Sequence, residues 1–365
     1  MITVAHLDEQ RGFRGGERQA SWLVRGLSGL GVSNILVGKP SQPFVSMLPG
    51  IETLRRIALP LRGEFDWYSA FRLARITTEL GVDIIHAHTS HAHGIAVMAK
   101  FLGSPSFLVV SRRVNFMPRR GFLNRYKYNA ADRILCVSQT VHDTLRRFGL
   151  GPSQLKTVHS AVDPERALMT AVPRATLGIP EKVPFLFSAG SLVEHKDHDN
   201  LLQAFALVWN SFPDARLCIA GNGPLMATLK ERSASLGIAP AVSFLGHRDD
   251  APGICRSADL YVSSSWSEGL GTSILEALYA GTPVVATEAG GAREMVIPEV
   301  TGMLSPSTNP GALAEAILFS LGNHDKALQM AERGKTLARE KFSVERMVAS
   351  TLDTYRELLS EHRSE

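Results

Sequence analysis

Long apolar runs are missing from this sequence of 365 residues. The stretch 183–193 is strongly apolar, yet it is shorter than the roughly 18 residues that a bilayer-spanning helix needs, and it contains Ser188 and Ser191. The opening residues MITVAHLDEQ lack the basic and small-residue regions of a secretory signal and read instead as a buried strand. We therefore expect a protein that neither spans a membrane nor is exported.

Cysteine is scarce. Only Cys136, Cys218 and Cys255 occur, far apart in the chain. An odd number of widely spaced cysteines suits buried, reduced thiols better than a disulfide framework or a zinc knuckle, so we predict a cytoplasmic protein. The composition is otherwise ordinary, with 44% hydrophobic and 20% charged residues, which excludes intrinsic disorder and collagen-like repeats.

Two common nucleotide-binding signatures are absent. No G-x-x-x-x-G-K-[ST] loop occurs, so a P-loop NTPase is not expected. The glycine turn at 221–223 is followed by Met226 where the third glycine of a dinucleotide fingerprint would stand, and the glycine pair at 15–16 lacks that spacing as well. We therefore do not expect NAD binding.

Metal-binding patterns are incomplete. His86, His88, His91 and His93 crowd one segment, but acidic partners and a tetrahedral ligand spacing do not accompany them. The triplet Asp-His-Asp at 197–199 imitates a D-x-D metal motif, yet it precedes a helix predicted at 201–209, where Asp199 as the N-cap accounts for it. We predict no essential metal.

Length and charge predict two unlike domains. At roughly 150 residues per domain, this chain is long enough for two. Residues 1–165 hold 21 Lys and Arg against 12 Asp and Glu, whereas the remainder holds 18 against 23. The basic half favours an anionic partner, which could be a phospholipid surface, a phosphorylated acceptor or nucleic acid, and the charge alone does not choose among them.

Short β-branched runs alternate with longer helical patterns, which is typical of parallel α/β folds. Strands are predicted at 2–6, 33–37, 83–87, 107–111 and 133–138, and again, beyond a Pro- and Ala-rich segment at 162–182, at 184–189, 215–220, 241–245, 260–264 and 283–286. This order predicts two doubly wound, Rossmann-like domains, 1–163 and 164–342, that face a central cleft. A closing amphipathic helix is predicted within 343–365, and packing against the first domain is one arrangement open to it.

The segment SEGLGTSILEALYAGTPVV, residues 267–285, is the most specific signal in the sequence. It follows a predicted strand, turns at Gly269 and Gly271, and continues as a helix. The unpaired N–H groups and positive end of a helix N-terminus suit a pyrophosphate, which glycine allows to approach the backbone.

Two carboxylates flank this turn. Thr272 and Glu276 are four residues apart on one helix face, which places Glu276 one turn deeper than the phosphates and suits a ribose diol. Glu268 precedes the helix and suits the hydroxyls of a sugar. Taken alone, the same pattern also fits an ordinary strand-to-helix turn.

The two glutamates of EGLGTSILE resemble the E-x7-E signature of the retaining family 4 glycosyltransferases, which have the GT-B fold. Further segments resemble that family in the same order along the chain: RGGERQ, DIIHAHTS, FSAGSLVEHKDHDNLLQAFALV, LCIAGNGPLMATLK and VSFLGHRDD. The resemblance covers nearly the whole chain.

The resemblance implies a donor site in the second domain. Glu268 would bind donor-sugar hydroxyls, Glu276 the ribose, and Lys196 would neutralise the charge of the departing diphosphate. The other donor-binding residues that it implies are Gly190, Ser191, Gly221, His247, Arg248, Gly269, Leu270, Gly271 and Thr272. Ser191 departs from the pattern, because the family usually has Arg there, and Arg248 is a nearby candidate to replace it.

The resemblance also implies roles in the first domain. Gly15 and Gly16 would form a loop facing the cleft, and His88, at a strand end, would point at the donor sugar as a catalytic residue. Arg112 and Arg113 would meet the acceptor.

The segment 111–128, SRRVNFMPRRGFLNRYKY, sets six basic residues among four aromatic ones. This pattern fits a solvated, salt-bridged surface, and it also fits an anionic acceptor or lipid head groups. We count an anionic membrane surface, met through Arg112–Lys127, among the expected partners. Nucleic acid is not expected, because no recognised reading module accompanies the charge.

Together these features predict a retaining glycosyltransferase that needs no cofactor. Its donor would be a UDP- or GDP-linked sugar and its acceptor a glycan or a lipid-linked hydroxyl, in the synthesis of bacterial cell-envelope polysaccharide or lipopolysaccharide at the inner face of the membrane. Two alternatives stay open: a sugar-nucleotide epimerase of related two-domain fold, and a noncatalytic subunit that binds nucleotide sugars, which Ser191 would explain.

Overall fold

The computed structural model describes residues 1–10, 12, 15–40, 42–51 and 53–361. The chain divides into two compact units: Met1–Ala161 together with the residues from Val344 onward, and Val162–Ser343. Each unit contains one parallel sheet with helices between its strands, which confirms the predicted fold class. Within the described residues, no helix combines the length and the apolar composition needed to cross a bilayer.

The first unit is built on a sheet of seven parallel strands in the order β3-β2-β1-β4-β5-β6-β7. The strands are β1 (Thr3–Asp8), β2 (Ser33–Gly38), β3 (Arg55–Ala58), β4 (Ile84–Ala87), β5 (Phe107–Arg112), β6 (Arg133–Cys136) and β7 (Leu155–Thr157). The helices are α1 (Gly15–Gly29), α2 (Pro43–Ser46), α3 (Trp67–Glu79), α4 (Ser90–Phe101), α5 (Phe122–Asn129) and α6 (Gln139–Phe148). The strand order reverses between β1 and β4, where ligands of doubly wound sheets bind.

The second unit is built on six parallel strands in the order β10-β9-β8-β11-β12-β13. The strands are β8 (Phe185–Ala189), β9 (Arg216–Ala220), β10 (Val242–Gly246), β11 (Leu260–Ser263), β12 (Val284–Thr287) and β13 (Met303–Ser305). The helices are α7 (Pro164–Ala167), α8 (His198–Ser211), α9 (Met226–Ser235), α10 (Ala251–Ser257), α11 (Thr272–Ala280), α12 (Pro310–Gly322) and α13 (His324–Lys341). Here the order reverses between β8 and β11.

Each unit has its own core. In the first, apolar side chains of the central strands, such as Val4 and Ile84, pack with α1 and with the last helix, α14 (Val344–Glu361). Tyr355 of α14 is fully buried in this core. In the second, Phe205 of α8 and Val262 of β11 are fully buried in the cluster that α12 also joins. Burial on both faces explains why these strands are nearly continuous apolar runs.

Three short strands were not predicted from the sequence. β3, β7 and β13 are edge strands of three or four residues. β3 exposes Arg55 and Arg56 and therefore lacks the apolar pattern by which the other strands are recognised. The prediction of five strands on each side of the linker was wrong for this reason.

The cap of helix α8 also differs from the prediction. The helix begins at His198, and Asp197, not Asp199, is the N-cap, its side chain accepting a hydrogen bond from the Asn200 N–H. Asp197 adopts a left-handed φ of 48°, which aspartate tolerates better than most residues. Asp199 instead binds Arg232 and Gln203 from inside the first turn.

Candidate functional site

Helix α11 begins where the sequence predicts a pyrophosphate-binding site. Its N-cap, Gly271, lies in the left-handed region with a φ of 98°, which glycine adopts without strain. Gly271 has no side chain to bond the first N–H groups of the helix. The positive end of α11 is thus available to an anion.

Lys196 and Glu268 form an ion pair beside this N-terminus. Lys196 Nζ donates to Glu268 Oε1 at 2.5 Å, and both side chains are mostly buried. Ser265 Oγ donates to the same carboxylate oxygen at 2.7 Å, and Ser264 Oγ donates to the Lys196 carbonyl at 2.9 Å. The cation expected for the diphosphate and the acid expected for the sugar are therefore in direct contact.

Glu276 forms a second ion pair. Arg166 of α7 donates from Nε to Glu276 Oε1 at 2.8 Å and from a terminal nitrogen to the Asp249 carbonyl at 3.3 Å. Both paired side chains are mostly buried. Sequence reasoning missed Arg166, because it lies 110 residues from Glu276 and no motif joins the two.

The loops that follow β8, β9 and β10 are joined through their backbones. Gly190 N–H donates to the Ala220 carbonyl, and Gly221 N–H donates to the Gly246 carbonyl. A Cβ atom on Gly221 would lie 1.8 Å from the Gly190 oxygen, so only glycine allows this approach. The stem of Lys196 lies against Gly190. The structure thus brings Gly190, Gly221 and Lys196 to one edge of the sheet.

A small cavity of about 10 Å³, room for about one water molecule, lies at this edge. Its lining includes the Lys196–Glu268 pair, Gly271, a set of serine hydroxyls and His198. Burial lowers the pKa of His198 to about 4, and its Nδ1 has no hydrogen-bond partner among the described residues. A neutral imidazole with an unused nitrogen therefore borders the cavity. In the sequence, His198 stands out only as the middle of the Asp-His-Asp triplet.

The two residues predicted to bind the base lie beside acidic residues of their own loop. Arg248 donates from two nitrogens to both carboxylate oxygens of Asp250, at 2.7 and 2.6 Å. Hydrogen bonding to Asp250 raises the pKa of Arg248. His247 lies 3.3 Å from Asp249, and both side chains are exposed. Arg248, the candidate to replace the missing family arginine, is held by Asp250 in this structure.

In the first unit, His88 lies in a network of buried histidines. Asn34 Oδ1 accepts from His6 Nε2 at 2.9 Å, because the Asn34 amide nitrogen donates elsewhere. His6 Nδ1 must then accept from His88 Nε2, at 3.0 Å, and His88 Nδ1 accepts from Arg113 at 3.4 Å. These tautomers follow from the hydrogen bonds. Burial lowers the pKa of His88 well below its ordinary value, and the imidazole is neutral.

Three imidazoles of this network lie close enough to share a metal ion. The ligand nitrogens of His6, His86 and His88 fall within 4.8 Å of one another. His86 uses its two nitrogens toward the Tyr355 hydroxyl and Ser111 Oγ. Hydrogen bonds therefore account for all six ring nitrogens, and the Arg113 cation lies beside them. His91 and His93, which the sequence groups with these residues, lie elsewhere: His91 is near Glu9 and His93 bonds the Lys127 carbonyl.

Asp8 and Arg113 lie at the carboxyl ends of β1 and β5, at the reversal point of the first sheet. Burial raises the pKa of Asp8 to about 7, and its Oδ2 has no hydrogen-bond partner among the described residues. Desolvation lowers the pKa of Arg113 to about 10. The Arg113 stem passes 3.8 Å from a Cβ position on Gly16. The structure thus places Gly16, His88 and Arg113 together, and Asp8 is a neighbour that the sequence reasoning missed.

Arg112 points away from this group. It donates to the Tyr128 hydroxyl and to the Phe116 carbonyl, within the basic segment itself. Successive residues of an extended chain face opposite sides, so Arg112 and Arg113 separate although they are neighbours in sequence.

Two family models match the chain. Residues 172–337 match the model described as Glycosyl transferases group 1, and residues 13–166 match Glycosyltransferase Family 4. Together they span most of the sequence, in the order of the two sheets.

Individual relatives agree with these matches. A D-inositol 3-phosphate glycosyltransferase of Salinispora tropica is 31% identical over 254 residues, which cover 64% of this chain and 52% of that protein, so the match spans about half the relative's length. The lipopolysaccharide core biosynthesis glycosyltransferase LpsE of Rhizobium meliloti is 25% identical over 356 residues, covering 95% of this chain and 96% of that protein.

Among solved structures, HepE of Anabaena, in complex with UDP and glucose, has a TM-score of 0.84 at 20% identity and covers 98% of this chain and 100% of its own. At that identity the likeness concerns the fold. The matched models, the two parallel sheets and the E-x7-E loop agree, and the chain belongs to the group 1 glycosyltransferases of the GT-B fold.

Proposed function

We propose that this chain transfers a sugar from UDP or GDP to an acceptor hydroxyl with retention of the anomeric configuration. One observation carries the proposal: the open N-terminus of α11 lies between two acids, Glu268 and Glu276, that each pair with a cation. A diphosphate at the helix end would replace the carboxylate partner of Lys196, and Glu268 could then accept hydrogen bonds from sugar hydroxyls.

In the proposed reaction, the bond between the anomeric carbon and the diphosphate oxygen breaks, and the acceptor oxygen bonds the same face of that carbon. The acceptor proton passes to the departing phosphate oxygen, so neither a metal nor a cofactor is needed. Lys196 and the first N–H groups of α11 stabilise the negative charge that develops on the diphosphate. His88 has no unused ring nitrogen for the donor sugar, because its two nitrogens bond His6 and Arg113.

We propose that the first unit binds the acceptor, with Gly15, Gly16 and Arg113 among its contacts. The acceptor is a glycan or lipid-linked precursor of the bacterial cell envelope; the name of the relative LpsE, a lipopolysaccharide core enzyme, supports this choice. The enzyme would act in the cytoplasm against the anionic inner face of the membrane. Exposed arginines of the segment Arg112–Lys127 support that location.

Thermal-shift screening with UDP, GDP, ADP and CMP tests the donor class. A nucleotide that binds the folded protein raises the melting temperature by mass action, and UDP or GDP should do so most. Glu276→Gln should reduce the shift, whereas the exposed control Lys230→Ala should leave it unchanged. Equal responses to all four nucleotides would contradict the proposal.

Product analysis then separates the remaining alternatives. The transferase forms a glycosylated acceptor and a free nucleoside diphosphate. An epimerase would convert the sugar nucleotide into an isomer without any acceptor. A noncatalytic subunit would bind the nucleotide sugar yet form no product over a broad acceptor panel.

A further inference from the structure

The first unit carries an open groove that the donor chemistry does not use. It lies among α3, α4 and α5 and measures about 770 Å³. Val97 and Met98 of α4 form part of its lining. Six larger apolar and aromatic side chains, which we name the aromatic groove, complete the wall: Phe65, Trp67, Phe101, Phe122, Leu123 and Tyr126.

These side chains are exposed to an unusual degree. The exposed fraction is 83% for Phe122, 72% for Phe101 and 54% for Trp67. Monomeric proteins seldom leave a contiguous apolar surface of this kind in water unless it meets a partner. Trp67 and Phe101 already contact each other edge to face, with ring centroids 6.5 Å apart. The groove is therefore a formed surface and not a scatter of single exposed residues.

Polar contacts at the base hold the groove open. Lys127 of α5 is buried, and its Nζ donates to Glu64 at 2.5 Å and to the Ser90 carbonyl at 2.7 Å. Glu64 lies across α4 at Gly94, where a Cβ atom would come within 2.4 Å of the glutamate side chain. These contacts tie the segment before α3 to α4 and α5. The apolar walls therefore do not depend on an occupant for their arrangement.

The charges around the aromatic groove indicate the kind of partner. Exposed arginines lie on the same segments as the groove residues, near α3 and near α5: Arg62, Arg72, Arg119, Arg120 and Arg125. The acids on the same segments have local roles: Glu64 pairs with Lys127, Asp66 caps α3, and Glu79 pairs with Arg75. Aromatic residues beside exposed arginines match the boundary between lipid chains and anionic head groups.

We propose that the aromatic groove docks the protein on an anionic phospholipid bilayer, with a hydrocarbon chain of one lipid lying between α3 and α5. The flanking arginines then meet the phosphate groups around that lipid. This inference rests on the membrane location in the proposed function and adds α3 and α4 to the basic segment. It is independent of the donor sugar.

Trp67 reports directly on this arrangement. We would mix the full chain with vesicles of phosphatidylcholine and phosphatidylglycerol whose acyl chains carry bromine near their midpoints, which quenches indole on contact. The vesicles should quench the fluorescence of Trp67. They should hardly quench the Trp67→Phe variant, because Trp22, Trp209 and Trp266 do not line the groove. Binding of the wild type without quenching would mean that the protein adsorbs by charge alone. It would overturn the proposal that the groove takes up a lipid chain.

Substitutions on the exposed wall provide a second measurement. Leu123→Ser should weaken partitioning into the anionic vesicles by about tenfold, because the leucine loses its apolar contact. The matched control Leu30→Ser changes a similarly exposed leucine elsewhere in the first unit and should have little effect. Arg119→Gln combined with Arg120→Gln should weaken partitioning while leaving Trp67 quenching per bound molecule unchanged.

The remaining outcomes separate this inference from the proposed function. No binding of the wild type to anionic vesicles would overturn both the groove and the membrane location. If the wild type sediments as a dimer and Leu123→Ser sediments as a monomer, the groove binds a second copy of the chain. That result would overturn the proposal that a lipid occupies it. Nucleotide-induced melting shifts, measured on every variant, report on the donor site alone, so a missing shift in the wild type would contradict the transferase and not the groove.

Discussion

The polar side chains of the two units differ in whether a ligand can replace their bonding partners. In the second, Glu268 pairs with Lys196 in the lining of a small cavity, where a ligand charge can take one partner's place, and Glu276 pairs with Arg166. In the first, the imidazole of His88 is buried with its neighbours, and the network leaves no ring nitrogen unused. The comparison teaches that the second unit is arranged to exchange partners with a ligand, whereas the histidine network is a fixed support.

Of the changes considered, replacing Lys196 should reduce the activity of the second unit's donor site most. Lys196→Ala removes the side-chain cation next to α11, and we expect kcat/KM for the sugar nucleotide to fall by about 100-fold or more, the usual loss when a group that stabilises a leaving charge is removed. The measurement is the initial rate of nucleoside diphosphate release.

Two variants control this result. Lys230→Ala removes an exposed lysine of the same unit and should retain full activity. Adding Glu268→Gln to Lys196→Ala removes the carboxylate left without its cation, so it should recover stability but not activity. A double variant with restored turnover would mean that Lys196 serves only to neutralise Glu268.

Acidification should destabilise the first unit more than the second. Burial lowers the pKa of His6 to about 4 and that of His93 to about 3, and it lowers the pKa of His86 and His88 well below the ordinary value. As the pH falls below about 6.5, the unfolded chain takes up protons that these folded histidines refuse, so the free energy of unfolding decreases.

Asp8 has the opposite effect on the free energy of unfolding as the pH falls. Its pKa is raised to about 7, so the folded first unit holds a proton that the unfolded chain releases, but one carboxyl opposes four histidines. The second unit has fewer such groups, chiefly His198. Between pH 7 and pH 5 the first unit should lose about 3 kcal/mol more stability than the second.

Urea unfolding followed by tryptophan fluorescence measures that difference. Trp22 and Trp67 report on the first unit, and Trp209 and Trp266 on the second. Replacing either pair with phenylalanine isolates the other unit's transition. Equal shifts of both transitions on acidification would contradict the contrast between a buried histidine network and an exchangeable ion-pair site.

The sequence made the second unit easier to interpret than the first. The residues of EGLGTSILE lie next to one another in the chain, so helical spacing alone places Glu268 and Glu276 on either side of Gly271. His6, Asn34 and Arg113 belong to different strands and meet only after the sheet forms. In the sequence only the histidines at 86–93 stand out as a group, and of these His86 and His88 join the network whereas His91 and His93 lie elsewhere.

The aromatic groove shows the same limit. The basic segment at 111–128 is visible as a local composition, but Phe65 and Trp67 lie at the start of α3 and come beside Phe101 and Phe122 only in the folded unit. Short edge strands such as β3 escaped prediction for a related reason, since exposed arginines carry no apolar period. What the sequence could not provide was long-range contact.

Arg166 tests whether the second unit depends on such a contact. Arg166→Ala frees Glu276 from its partner, and we expect KM for the sugar nucleotide to rise by about tenfold with a smaller change in kcat, because the acid loses its orientation toward the ribose. Arg166→Lys keeps the charge and should recover part of the loss. Combining Arg166→Ala with Glu276→Gln should add little to either single change, whereas additive losses would mean that the two residues act separately.

The smallest effect concerns Arg248. Its guanidinium is held by both oxygens of Asp250 and is partly exposed, so Arg248→Ala should change the dissociation constant for UDP or GDP by less than about threefold, as expected for a weak surface pair. Asp250→Asn releases Arg248 and serves as the matched variant. A loss of more than about tenfold in Arg248→Ala, accompanied by tighter binding in Asp250→Asn, would mean that Arg248 leaves Asp250 to meet the phosphates and takes the place of the arginine that Ser191 replaces.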